Sequence, residues 1–87
     1  MPQVKVTIQR GAGLHARPAA EFVKLAGRFA AASRVRLNGR QADAKSILGI
    51  LSLGANRGSE VELEVDGVDA DNAIVALRDF LAASNER

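Results

Sequence analysis

The single histidine of the chain, His15, lies two residues before an arginine and three before a proline. Proline is tolerated in a first helical turn, and apolar residues follow Pro18 at helical spacing, so the segment predicts a helix that begins directly after His15. The first N–H groups of a helix lack intrahelical partners and carry partial positive charge. That position favours a neutral imidazole with a free lone pair, and it favours an anion on or near the ring.

Arg17 adds a planar and permanently charged guanidinium that suits phosphate oxygens. A nucleophilic ring, an anion site and a guanidinium within three residues predict a phosphoryl group that His15 receives and releases. These residues alone leave open the simpler interpretation, in which His15 is a solvent-facing helix cap. Glu21 is expected in the first turn of the same helix.

The elements that must position these residues follow from the hydrophobic periodicity. Alternation predicts strands over residues 4–8, 34–37 and 60–66, and the Asn38-Gly39 pair predicts a hairpin with a return strand over 40–44. Helical spacing predicts a first helix with a stripe from Ala19 to Ala26, and a last helix capped by the Asp69 side chain. A short helix over 46–53 lies between the last two strands. One-sided strands with two amphipathic helices predict one α+β domain over residues 1–87, an open sheet with helices on one face.

The composition excludes several classes of protein. The 87 residues include no cysteine and one histidine, which excludes a disulfide scaffold and makes a structural metal improbable. No apolar run approaches the ~20 residues that a membrane helix needs, and no signal segment opens the chain, so the cytoplasm is expected.

The charge is unevenly distributed. Residues 1–57 hold ten of the twelve Lys and Arg against two acids, and residues 58–87 hold eight acids against two arginines. Cross-strand pairs should neutralise much of the outer sheet surface. The remaining cations are Arg10, Arg17, Lys24, Arg28, Lys45 and Arg57. A small nucleic-acid-binding domain is therefore one alternative, but the three phenylalanines all lie at helical core spacing and provide no stacking platform.

The segment from Ser46 to Leu53 predicts a short helix with Ser46 as its N-cap. Its apolar residues leave almost no polar face, and so short a helix cannot bury every side. Some apolar surface should therefore remain exposed for a partner.

The string Leu14-His15-Ala16-Arg17-Pro18-Ala19 resembles the active-site signature of the HPr family, the histidine-containing phosphocarriers of the phosphoenolpyruvate-dependent sugar phosphotransferase system. The resemblance extends over the whole chain. It implies a four-stranded antiparallel sheet in an open-faced sandwich of order βαββαβα. Enzyme I would phosphorylate Nδ1 of His15, and enzyme IIA domains would take the group. Arg17 and the backbone N–H of Ala16 would hold the phosphate, without cofactor or metal and without enzymatic turnover.

The Ser46 segment resembles the regulatory region of the same family, where HPr kinase/phosphorylase modifies the matching serine. The resemblance implies docking of enzyme I and IIA through Ile47, Leu48 and Leu51, joined by Ala20 and Lys24 of the first helix. It also implies a possible catabolite-control repressor as partner, a monomeric state, and no direct contact with nucleic acid or membrane. A nitrogen-branch or purely regulatory relative remains the alternative within this fold.

Overall fold

The computed structural model describes residues 2–9, 14 and 16–83. Within them the chain forms four strands and three helices in the order βαββαβα. The elements are β1 (Gln3–Thr7), α1 (Ala16–Ala26), β2 (Ala32–Leu37), β3 (Arg40–Asp43), α2 (Ile47–Leu53), β4 (Glu60–Asp66) and α3 (Ala70–Ala82). The predicted α+β class and element order are confirmed. No helix in the described part of the chain is both long enough and apolar enough to span a bilayer.

The sheet has the strand order β1-β4-β2-β3, and every neighbouring pair is antiparallel. Alternation places Val61, Leu63 and Val65 of β4 on the covered face, where they are buried with Val35 of β2. The helices pack over this face, because their own apolar stripes have no other surface to cover. The opposite face of the sheet is open and polar.

Element boundaries differ from the predicted ones by one or two residues. β1 ends at Thr7, its last residue in register with β4, and the N–H of Ile8 donates to the carbonyl of Ser59, the residue before β4. β2 begins at Ala32, where it pairs with Asp66, and β3 ends at Asp43 instead of Ala44. Such shifts follow from pairing partners that the sequence of one strand does not specify.

Helix α1 shows the predicted stripe. Ala19, Phe22 and Ala26 are fully buried, and the helix ends where the next residue, Gly27, starts a turn. The ring of Phe22 contacts that of Phe80 of α3 in a tilted arrangement, with 5.7 Å between the ring centroids. Phe80 and Phe29 were also expected in the core, but both are only half-buried at its margin, so Phe22 is the aromatic centre.

The Asp69 carboxylate does not cap α3, which corrects the prediction. Asp69 occupies the N-cap position without a side-chain cap bond, and its oxygens accept instead from the N–H groups of Ala30 and Ala31, at 2.9 and 2.8 Å. These bonds, the one from Ala30 first, hold the pKa of Asp69 below its ordinary value. Lys45 donates to the Phe29 carbonyl at 2.9 Å, so two side chains from other loops hold the turn between α1 and β2.

The outer face of the sheet carries the predicted cross-strand ion pairs. Glu64 lies opposite Arg34 and accepts from Arg34 at 3.2 Å and from Arg36 at 2.9 Å. Arg36 also reaches Glu62 at 3.5 Å. These arginines therefore add little to the free positive charge of the molecule, as the sequence analysis expected.

Candidate functional site

His15 lies outside the described residues, but both of its neighbours in the chain are described. Leu14 is buried, and its N–H donates to the carbonyl of Ala55 at 3.0 Å. Ala16 is the first residue of α1. The chain therefore passes through His15 between a buried anchor and the start of an eleven-residue helix, as the sequence predicted.

The first turn of α1 has the electrostatic character that an anion requires. Residues 16–19 include no acid, and the N–H groups of Ala16 and Arg17 stand where a helix offers no internal acceptor. Arg17 is exposed and makes no hydrogen bond or ion pair with the described part of the chain. Glu21 was expected in this turn, but it lies in the second turn because α1 begins at Ala16.

One face of α1 is left to solvent. Arg17, Ala20 and Lys24 are all exposed and recur at the i, i+3, i+7 spacing that puts residues on one side of a helix. The buried stripe through Ala19 and Phe22 lies on the other side. The structure thus groups three of the predicted site residues on a single exposed surface, which begins with Arg17, two residues after His15 in the sequence.

Helix α2 begins as predicted, with Ser46 as its N-cap. The Ser46 backbone is extended, and Oγ of the side chain accepts from the N–H of Gly49 at 3.1 Å. A side chain at Gly49 would lie 3.2 Å from both the Ala42 side chain and this Oγ, so glycine allows the helix to approach β3 closely. At the other end, Gly54 caps the helix in the left-handed conformation.

The exposed apolar surface expected on α2 is present. Ile50 and Leu53 are buried against the sheet, whereas Ile47, Leu48 and Leu51 are 39%, 75% and 40% exposed. We call these three residues the α2 patch. Since α2 also packs against α1, the α2 patch and the free face of α1 belong to neighbouring helices. An exposure of 75% for a leucine is what a partner-binding surface would require.

The family model described as "PTS HPr component phosphorylation site" matches residues 2–83. The chain belongs to the HPr family. Members of this family are phosphocarrier proteins and not enzymes, so the chain is a phosphocarrier of the phosphotransferase system.

Individual relatives agree over nearly the whole chain. It is 46% identical to the phosphocarrier protein HPr of Cupriavidus necator over 82 residues, which cover 94% of this chain and 92% of the relative. The crystal structure of HPr from Bacillus anthracis matches with a TM-score of 0.91 at 40% identity, covering 92% of this chain and 95% of that one. HPr from Thermoanaerobacter tengcongensis matches with a TM-score of 0.90 at 43% identity, covering 93% and 91%.

One set of contacts beside the histidine segment was not predicted from the sequence. Residues 55–59 contact the chain on both sides of the histidine segment, through Ala55 to Leu14 and through Gly58 and Ser59 to Ile8. The only sequence signal was the Asn56-Arg57-Gly58-Ser59 composition, which is typical of a turn but does not say what the turn touches.

Proposed function

We propose that His15 accepts a phosphoryl group from phosphorylated enzyme I and passes it to enzyme IIA domains that serve sugar uptake in the cytoplasm. The observation that supports this most is the start of α1 at Ala16, directly after His15, with Arg17 exposed and unpaired among the described residues. A histidine in this position has an anion-favouring helix terminus on one side and a free guanidinium within reach of the same anion.

The transfer requires a neutral imidazole. The lone pair of Nδ1 attacks phosphorus while Nε2 keeps its proton, and the bond between phosphorus and the donor group of enzyme I breaks, with its electron pair remaining on enzyme I. The positive end of α1 keeps the free ring neutral, which favours the attack. It also attracts the phosphoryl oxygens, whose negative charge offsets the positive charge that the ring acquires while Nε2 keeps its proton. Transfer to a IIA domain repeats the step with His15 as the leaving group.

Arg17 and the first-turn N–H groups supply the compensating charge. The guanidinium can bind two phosphoryl oxygens at once, and the N–H groups of Ala16 and Arg17 can donate to a third. Because Arg17 makes no bond within the described part of the chain, no internal ion pair has to break before it binds the phosphate.

The docking surface is the α2 patch together with Ala20 and Lys24. Apolar side chains at its centre and cations beside it suit partners that carry an apolar contact surface with an acidic rim. Enzyme I and IIA domains would bind the same surface in turn, which suits a carrier that meets its donor and its acceptor separately as a monomer.

Ser46 is the proposed regulatory position. A phosphate of about −1.5 to −2 charge on its hydroxyl would stand beside Ile47 and Leu48 and would oppose an acidic partner. HPr kinase/phosphorylase would be the modifying enzyme, and a catabolite-control repressor a partner of the modified form.

Incubation with phosphoenolpyruvate and enzyme I, followed by intact mass, tests the proposal. We expect the gain of one acid-labile phosphoryl group in the wild type and none in His15→Ala, which should melt like the wild type because His15 precedes the helix. Labelling that persists in the variant would overturn the assignment of His15. Subsequent loss of the label to a sugar-type IIA domain would exclude the nitrogen-branch alternative.

A further inference from the structure

Residues 56–59 form a turn that is closed by two hydrogen bonds. The N–H of Ser59 donates to the carbonyl of Asn56 at 3.0 Å, and the N–H of Asn56 donates to Oγ of Ser59 at 3.1 Å. Gly58, the third residue, has a φ of 91°, the conformation that a type II turn requires there and that favours glycine. The Ser59 hydroxyl therefore fixes the start of the turn to its end.

The same turn is bonded to the chain before the histidine segment. Ile8 accepts from the N–H of Gly58 at 2.8 Å and donates to the carbonyl of Ser59 at 2.9 Å. These two bonds continue the ladder between β1 and β4 past the last strand pair, Thr7 with Glu60. Ile8 is completely buried, so the end of the turn that is bonded to it has little freedom to move.

The segment that leads into the turn is bonded to the chain after it. Ala55, fully buried and directly before Asn56, accepts from the N–H of Leu14 at 3.0 Å. Leu14 is the residue before His15 in the sequence. Residues 55–59 thus hold the chain at Ile8 and at Leu14, whereas Gln9, the residue after Ile8, is held separately by its N–H bond to the carbonyl of Leu81 at 3.0 Å.

We propose that Ser59 is a positioning residue for phosphoryl transfer, which acts by holding the 56–59 turn and through it the backbone next to His15. Ser59 needs no contact with the phosphoryl group for this role. The proposal rests on the proposed function of His15. It follows from the geometry because a small displacement of a nucleophile is expected to lower a transfer rate far more than it lowers stability.

Ser59→Ala removes the Oγ acceptor and leaves the N–H of Asn56 without it. We expect a transfer rate from phosphorylated enzyme I about tenfold lower than that of the wild type, with altered ring resonances of ¹⁵N-labelled His15 and faster hydrogen exchange at the Leu14 amide. Ser59→Thr retains the hydroxyl and should restore all three. Gly58→Ala strains the same turn through its φ, with no atom within 4 Å of the added methyl, and should reproduce the defect.

Asp69→Asn is the matched control, because it weakens side-chain bonds to the backbone at a loop that has no bond to residues 55–59 among those described. It should lower stability and leave the transfer rate unchanged. A wild-type rate for Ser59→Ala, or rates that fall in parallel with stability in both variants, would overturn the positioning role. A wild type that takes no label on His15 would instead overturn the proposed function.

Discussion

The two surfaces of this molecule use their charges in opposite ways. On the outer face of the sheet, Glu64 is only 7% exposed and is bound by two arginines, so the charges there are compensated within the fold. On the helical side, Arg17 and Lys24 have no partner in the described part of the chain, and Leu48 is mostly exposed. Groups that the fold leaves uncompensated are available to partners. This difference supports the proposal that partners bind the helical surface.

The comparison is tested most strongly by removing one arginine from each surface. Arg17→Ala should slow phosphoryl transfer by one to two decades, since one charge-assisted contact is worth about 1.5–3 kcal/mol. Arg17→Lys should recover only part of the rate, because an ammonium cannot present the bidentate geometry. Both transfer rates are measured by quenching the reaction with phosphorylated enzyme I at successive times and determining the intact mass.

Arg34→Ala is the control for that pair of surfaces. It removes the same charge from the outer sheet face, where Arg34 is paired with Glu64. Its transfer rate should match the wild type. If Arg34→Ala slowed transfer as much as Arg17→Ala, net charge and not the helical surface would explain both effects.

The α2 patch is expected to act through binding. Leu48→Ala should raise the KM of enzyme I for this protein on the order of fivefold, because a central apolar contact is truncated. The free energy of unfolding should change by less than ~0.5 kcal/mol at so exposed a site. Ile50→Ala, at the buried position two residues on, should cost ~2–5 kcal/mol of stability. An unchanged KM for a folded Leu48→Ala would remove the α2 patch from the docking surface.

The regulatory role of Ser46 predicts a smaller and salt-dependent effect. Ser46→Asp should accept phosphate from enzyme I several-fold more slowly than Ser46→Ala at low salt. An aspartate keeps the cap, whereas alanine loses about 1 kcal/mol of it, so a frayed helix cannot explain the order. The difference should fade toward ~1 M salt, where the screening length is near 3 Å. Equal rates for the two folded variants would leave Ser46 a helix cap only.

The smallest expected effect is on the pH dependence of stability. The pKa of the Asp69 carboxyl is lowered in the fold, so its ionised form contributes stability that is present above the ordinary value of 3.8 and is lost as pH falls through the folded pKa. Urea unfolding should therefore show a difference in the free energy of unfolding between wild type and Asp69→Asn. This gap should be constant near neutral pH and should shrink below pH 3.8. A gap that persists unchanged to the most acidic pH would contradict the bonds from Ala30 and Ala31.

The sequence predicted most of the fold because each element carries its own pattern. The alternation in β4, the stripe of α1 and the Ser46 cap are local, and all three are confirmed. The predicted cap by the Asp69 side chain was wrong because its carboxylate accepts from N–H groups that are 38 and 39 residues away in the sequence. A local capping pattern cannot reveal such distant donors. The contacts of residues 55–59 were missed for the same reason: a turn composition says nothing of its distant partners.

The candidate site was predictable to a different degree. The short motif around His15 carries the family resemblance, and the exposure of the α2 patch followed from a helix too short to bury all its apolar residues. The order of β4 between β1 and β2 decides which charges are paired, and no single strand contains that information. The roles of His15, Arg17 and Ser46 remain predictions that experiments on transfer must test.

One measurement tests the central proposal most directly. Because the chain contains one histidine, ¹⁵N-histidine labelling gives a single pair of ring nitrogen signals. After incubation with phosphoenolpyruvate and enzyme I, we expect Nδ1 to shift and to show a one-bond coupling to ³¹P, with Nε2 retaining its proton. Both signals should return to their starting positions when a IIA domain is added. Ring signals that stay unchanged while the protein gains a phosphoryl group would place the phosphate elsewhere and would contradict the account.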